Sequence, residues 1–322
     1  VIGTVLPGII VIILGIVWIV MKKPLGFEEL TAAETTVAKV VNGSVTPRWF
    51  PDLTNLNNLS YLAGIILLFA GVEVQAVHAS EMKNPKKQYP LAIFISAVIV
   101  FALFTFGSIA IAAVVPNSQL QIESGLMQAL STMLKSVKMS WALPVLAFCV
   151  AFGSLAGVLS WISGPSKGLL STAKEGVLPE KLAETTKAGA PKNMMLIQGL
   201  IVTVLACLYF VMKDVSVAFF LLSALTVAVY IIMYLMMYAA AIVLRKKQPN
   251  LERPYKAPAL PLIAGIGIIA ALIGLVLSFV PPAQLPIGNP ASYIAIVAVG
   301  TIGFLIIPLI IAEVRKSKIK PD

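Results

Sequence analysis

Of the 322 residues, 59% are hydrophobic and 12% are charged. That is about half the charged share of an ordinary water-soluble domain, and it excludes a fold with a fully hydrated exterior. The net charge of +10 is spread in short basic clusters between apolar blocks, not along one continuous face, so no nucleic-acid partner is expected.

The apolar residues fall in eight blocks, at 1–20, 59–77, 91–115, 141–162, 194–212, 217–244, 260–280 and 293–312. Each is close to the roughly 20 residues that an α-helix needs to cross a bilayer. The expectation is an all-α membrane protein with eight transmembrane helices, forming a single transmembrane domain over 1–322 in contact with the lipid bilayer. The first block opens at Val1 inside a hydrophobic run, with no charged segment or cleavage site ahead of it; a longer protein preceding this start is expected. Asn84-Pro85, Gly164-Pro165, Pro281-Pro282 and Asn289-Pro290 mark connectors, where the backbone is expected to leave helical geometry. Two connectors are long, 21–58 and 116–140. The second carries Ile122, Leu126, Leu130 and Leu134 at i+4 spacing, which predicts a short amphipathic helix lying on the outer face, either as a lid or as a plain surface helix.

Lysine and arginine set the orientation, because positive loops resist translocation. Seventeen of them lie in the connectors after the second, fourth and sixth blocks and in the tail; the remaining connectors hold seven. The first set is expected to be cytoplasmic, with both chain ends on that side of a cell membrane. Cys149 and Cys207 both sit inside apolar blocks far apart, so neither a disulfide nor a thiolate metal site is expected. No cofactor is expected.

Glu73 is the acidic residue that breaks the apolar rule well inside a block, and a carboxylate at membrane depth is costly enough to point to function. Gly71, two residues before it, weakens the helix there. A broken helix at membrane depth is tolerated where the freed backbone groups line a cavity or are buried in protein. His78 follows five residues later and reads as a cap or loop anchor, or as part of a proton relay. Glu81, Lys83, Lys86 and Lys87 read as a solvated loop face.

The stretch from Ser60 to Pro90, SYLAGIILLFAGVEVQAVHASEMKNPKKQYP, resembles the sixth helix and following loop of the amino acid, polyamine and organocation transporter superfamily. Further stretches match in order: Trp161-Ile162-Ser163-Gly164-Pro165-Ser166-Lys167-Gly168, then Ala173 to Pro179, then Leu225-Thr226-Val227 with Tyr230 and Tyr234. Among its members the chain is most similar to bacterial glutamate/γ-aminobutyrate antiporters. The resemblance implies the C-terminal two-thirds of a twelve-helix transporter built from two inverted five-helix repeats, as in the leucine-transporter-like fold. The eight blocks then represent the last helix of the first repeat, the second repeat and two peripheral helices.

It also implies a site. Backbone groups at Phe69, Ala70, Gly71 and Val72 meet an amino acid substrate, since N–H donors at a helix start suit a carboxylate. Glu73 gates the cytoplasmic exit or responds to protonation, because desolvation disfavours the charged form of a carboxyl. Trp161 lines the cavity by resemblance; at a span end, tryptophan is equally an interfacial anchor. Tyr230 and Tyr234 contact solute by resemblance, whereas periodicity alone makes them, with Tyr238, a packing stripe. Some glutamate/γ-aminobutyrate antiporters carry an acidic residue one turn before the tryptophan; here it is Gly157. The tail from Glu313 to Asp322 is short and basic, so the C-terminal plug that some members carry is not expected here.

The function expected is a secondary amino acid antiporter of the glutamate/γ-aminobutyrate type. The alternatives are a proton-coupled amino acid permease or an arginine/agmatine-type exchanger. An enzyme is not expected, because paired acids, a histidine metal motif or an activated nucleophile are missing from the apolar blocks. An ATP-driven pump lacks its phosphate-binding loop. The oligomeric state does not follow from the sequence.

Overall fold

The computed structural model of the chain describes residues 2–26, 38–41, 44–47, 59–121, 124–212, 214–253, 255–282 and 288–315. Val1, most of connector 21–58, Ile122, the side chain of Glu81 and the tail after 315 lie outside the described residues. In chain order the helices are α1 (Val5–Val20), α2 (Tyr61–Phe69), a 3-10 helix (Val72–Glu81), α3 (Pro85–Val114), α4 (Gly125–Ser136), α5 (Leu143–Lys174), α6 (Lys192–Ala206), α7 (Val215–Lys247), α8 (Leu260–Ser278) and α9 (Pro290–Arg315). Short 3-10 turns at 117–119, 140–142 and 180–183 lie in the connectors, and Leu208–Val211 adds a last turn after α6. A two-stranded antiparallel hairpin, β1 (Ala38–Val41) and β2 (Ser44–Pro47), pairs Val40 with Val45; the mixed charge of connector 21–58 had concealed it.

Six of these helical stretches are long and apolar enough to cross a membrane: Pro85–Val114, Ser140–Lys174, Lys192–Val211, Val215–Lys247, Leu260–Ser278 and Pro290–Arg315. The chain is a multi-pass α-helical membrane protein. Two of the eight expected spans differ. Block 1–20 gives a shorter apolar helix of 16 residues. Block 59–77 is not one helix: α2 stops after nine residues, and Gly71, at φ 95°, turns the chain into the 3-10 helix. A left-handed backbone of this kind suits glycine because it has no Cβ to collide with the following carbonyl.

Proline and side-chain caps fix several helix starts. Pro85 and Pro290 open α3 and α9, where a missing N–H costs nothing. Gln88 reaches back to accept the Asn84 N–H at 3.1 Å. Asp214 caps α7, its Oδ1 accepting from the Ser216 and Val217 amides at 2.8 and 3.3 Å. Gly164-Pro165, expected to end a span, does not do so. Helix α5 passes through it for another nine residues.

The chain forms two compact units, one of 1–53 with 95–161 and one of 54–94 with 162–322. In the first, Val11 and Trp18 of α1 pack with Ala110 and Val114 of α3, Leu130 and Met133 of α4, and Leu146 of α5. The predicted amphipathic helix is therefore α4, and its apolar face is a core element of this unit: Leu130 and Leu134 are buried and Leu126 packs beside them. Trp18 donates its indole N–H to the Pro24 carbonyl at 2.9 Å. In the second unit, Leu59 just before α2 and Ala63 within it join Val227 and Ile231 of α7 and Ala271 and Leu277 of α8. Leu221 and Ala224 of α7 pack on Tyr293 and Val297 of α9.

Candidate functional site: the broken helix and its partners

The second unit brings the break between α2 and the 3-10 helix against α7. Gly71 is the residue that caps the 3-10 helix, and the Val74 amide donates to its carbonyl at 3.1 Å. A helix that starts afresh presents N–H groups without partners inside the helix. The Gly71 N–H donates to the Tyr234 hydroxyl at 3.3 Å. That hydroxyl in turn donates to the Glu73 carboxylate, 3.0 Å from each oxygen.

One phenol thus spans the break. It accepts from the residue that turns the chain and donates to the acid two residues on. Because each bond polarises the next, such a chain is stronger than its separate links. The Tyr230 ring meets the Tyr234 ring edge to face, centroids 5.4 Å apart, and its hydroxyl also lies within electrostatic reach of Glu73. Tyr89, near the start of α3, also lies within electrostatic reach of Glu73.

The periodic stripe on α7 therefore divides. Tyr230 and Tyr234 are part of a polar cluster around Glu73. Tyr238 is packing: its ring lies against Gly267 of α8, where a Cβ would come 2.7 Å from Cζ. The sequence alone could not assign Tyr234 to Glu73, because 161 residues separate them.

Phe69 is 38% exposed at the end of α2, and Ala70, Gly71 and Val72 are partly buried beside Glu73. Trp161 stands on α5 as the last residue of the first unit and is 42% exposed. Among the described residues, no three histidine, cysteine, aspartate or glutamate side chains are placed to hold a metal ion.

A second set of contacts joins the 3-10 helix to the later turns of α5. A Cβ on Gly164 would lie 2.5 Å from Val74 Cγ1, and one on Gly168 would touch Val77 Cγ1 at 3.5 Å. Gly164 is thus a seat for Val74 and not a helix end, which is why the Gly-Pro pair misleads when read as a breaker. Between these two glycines, Lys167 Nζ lies 3.1 Å from His78 Nδ1. One step round α5, buried Ser166 donates to Gln198 Oε1 of α6 at 2.8 Å. Sequence reasoning singled out His78 as an anchor but missed its partner.

The glycine seat gives a prediction of unusual sign. Gly to Ala inside a helix normally stabilises by about 0.5–1 kcal/mol. Here Gly164→Ala is expected to destabilise by about 1–3 kcal/mol, the cost of overpacking a filled site. Thermal unfolding in detergent checks this, and Val74→Ala in the same chain should recover most of the loss.

A family model described as amino acid permease matches residues 1–304. An uncharacterized transporter of Legionella pneumophila is 38% identical over 97% of this chain and 65% of its own length. A glutamate/γ-aminobutyrate antiporter of Lactococcus lactis is 33% identical over 83% of this chain and 55% of its length. A probable agmatine/putrescine antiporter of the same species is 26% identical over 70% of this chain and 49% of its length. The chain therefore spans about half to two-thirds of the length of the relatives it matches.

Proposed function

The chain belongs to the amino acid permease family, and from that premise we propose that it is the greater part of a secondary amino acid antiporter of the glutamate/γ-aminobutyrate class. The observation that carries this reading is the broken helix at Gly71, tied through Tyr234 to Glu73. It combines an N-terminal backbone suited to a substrate carboxylate with an acidic gate two residues on.

In this reading Phe69, Ala70, Gly71 and Val72 receive the substrate headgroup, and Trp161, Tyr230 and Tyr234 border the path. Glu73 holds the cytoplasmic exit by its bond from Tyr234. The single domain over 1–322 corresponds to eight of twelve helices, with α1 and the α2 to 3-10 pair each counted as a span. The share of the relatives' length that the chain covers supports this reading. The distribution of lysine and arginine supports a cytoplasmic location for both ends of the chain in a cell membrane.

The test is counterflow in proteoliposomes, using the protein expressed from its complete reading frame. Internal γ-aminobutyrate is expected to accelerate uptake of labelled glutamate severalfold over empty vesicles. Acceleration by agmatine in place of γ-aminobutyrate moves the assignment to an arginine/agmatine-type exchanger. Uptake driven by a proton gradient alone, indifferent to internal solute, moves it to a proton-coupled permease.

A further inference from the structure

Helix α8 has one face of small residues. Ala264, Gly267, Ala271, Gly274 and Ser278 recur at spacings of three and four, which places them along one side of the helix. On the opposite side Leu262, Ile266, Ile269, Ile273 and Val276 are exposed, as suits a face turned to lipid. Small residues let neighbouring helices come close, and the two glycines of the inner face receive different neighbours.

At Gly267 the neighbour is the Tyr238 ring of α7, and a Cβ there would lie 2.7 Å from Cζ. At Gly274, two turns on, side chains of two helices converge. The end of the Ile66 side chain, from α2, occupies the place that a Cβ would take, and Ile231 Cδ1 of α7 would lie 3.1 Å from it. Each isoleucine is one turn from a group at the break. The Ile66 carbonyl accepts the Ala70 N–H at 3.2 Å, the bond that carries α2 up to Gly71. Ile231 stands one turn before Tyr234, whose hydroxyl accepts the Gly71 N–H. The backbone on the α2 side of the break and the phenol on its α7 side are therefore located from one spot on α8.

We propose that Gly274 is a positioning residue for substrate binding: by seating Ile66 and Ile231 together, it sets where the Ala70 and Gly71 backbone stands relative to Tyr234. The proposal rests on the antiporter reading, in which α8 lies outside the repeats that form the substrate site, and it gives this outer helix a part in that site's geometry. The seat predicts a graded response. In Gly274→Ala the new methyl meets the flexible end of Ile66, which can turn aside. In Gly274→Val two further methyls leave no such room, and the last turn of α2 has to move.

Counterflow and hydrogen exchange, both on the protein expressed from its complete reading frame, test the assignment, with Gly267→Val as the control. In Gly274→Val the KM for glutamate is expected to rise about ten- to hundredfold, the worth of one hydrogen bond to a charged headgroup, with the maximal rate changed less. Gly267→Val overpacks the same helix against Tyr238 and should leave KM near the wild-type value. Adding Ile66→Ala to Gly274→Val empties the place that the valine fills, and should return KM towards the wild type. Hydrogen exchange of the peptide spanning 66–73 reads the seat without any solute. The Ala70 and Gly71 amides should lose protection roughly five- to tenfold in Gly274→Val, and by a smaller factor in Gly274→Ala, which folds where valine does not; Gly267→Val should keep it. Protection unchanged in the Gly274 variants would overturn the proposal, as would a KM raised equally by Gly267→Val or one that Ile66→Ala does not restore. If the wild type itself shows no counterflow, the antiporter reading falls, and the protection of Ala70 and Gly71 still judges the seat.

Discussion

Gly71→Val is expected to abolish counterflow while leaving the packing of α7 on α8 and α9 intact. At φ 95° the residue sits where an L side chain costs about 1–2 kcal/mol, and a branched Cβ costs more. Valine therefore drives the chain towards a continuous helix, which carries Glu73 away from the phenol and closes the N-terminal backbone that the substrate headgroup needs. Each 1.4 kcal/mol is about a tenfold change in rate, so Gly71→Ala should lose about five- to thirtyfold and Gly71→Val essentially all activity. Circular dichroism should show helix content retained or slightly raised in both. Transport by Gly71→Val at even half the wild-type rate would show that the break is not where the solute binds.

The second large effect belongs to Glu73. In Glu73→Gln the Tyr234 hydroxyl still finds an amide oxygen. It loses the charge that makes such a bond worth about 1.5–3 kcal/mol, so exchange should change by about tenfold or more. Tyr234→Phe removes the donor and leaves the carboxylate in place, so it should alter the rate as well. Reconstituted exchange compares both variants with the wild type, and wild-type behaviour of Glu73→Gln would remove Glu73 from the mechanism.

Much of this arrangement was legible in the amino acid order. Apolar length located all six long helices, and the conflict between Gly71, Glu73 and the hydrophobic block around them located the break. Leu126, Leu130 and Leu134 announced α4. Pairings across distant sequence were not legible. Nothing near Tyr234 says that its hydroxyl ends on Glu73, and nothing near Lys167 says that it ends on His78, because a helix fixes which residues share a face but not what that face meets. Gly164-Pro165 was misread for a related reason. A glycine inside a helix looks like a weakness until the neighbour that occupies the missing side chain's place is seen, and here that neighbour is Val74. Block 59–77 has the composition of a span, yet composition is blind to a single left-handed residue that divides it.

The lengths of three helices have a consequence of their own. Helices α3, α5 and α7 run for 30, 32 and 33 residues, about 45–50 Å at 1.5 Å per residue, against a hydrocarbon layer of about 30 Å. By contrast α8, at 19 residues, nearly matches it. Such long rods lean within the lipid or stand proud of it, and how far they do so depends on how thick the lipid is. The seats for the 3-10 helix, Gly164 and Gly168, lie in the last third of α5, the portion furthest from its start. The broken helix is thus seated on a rod longer than the hydrocarbon layer is thick.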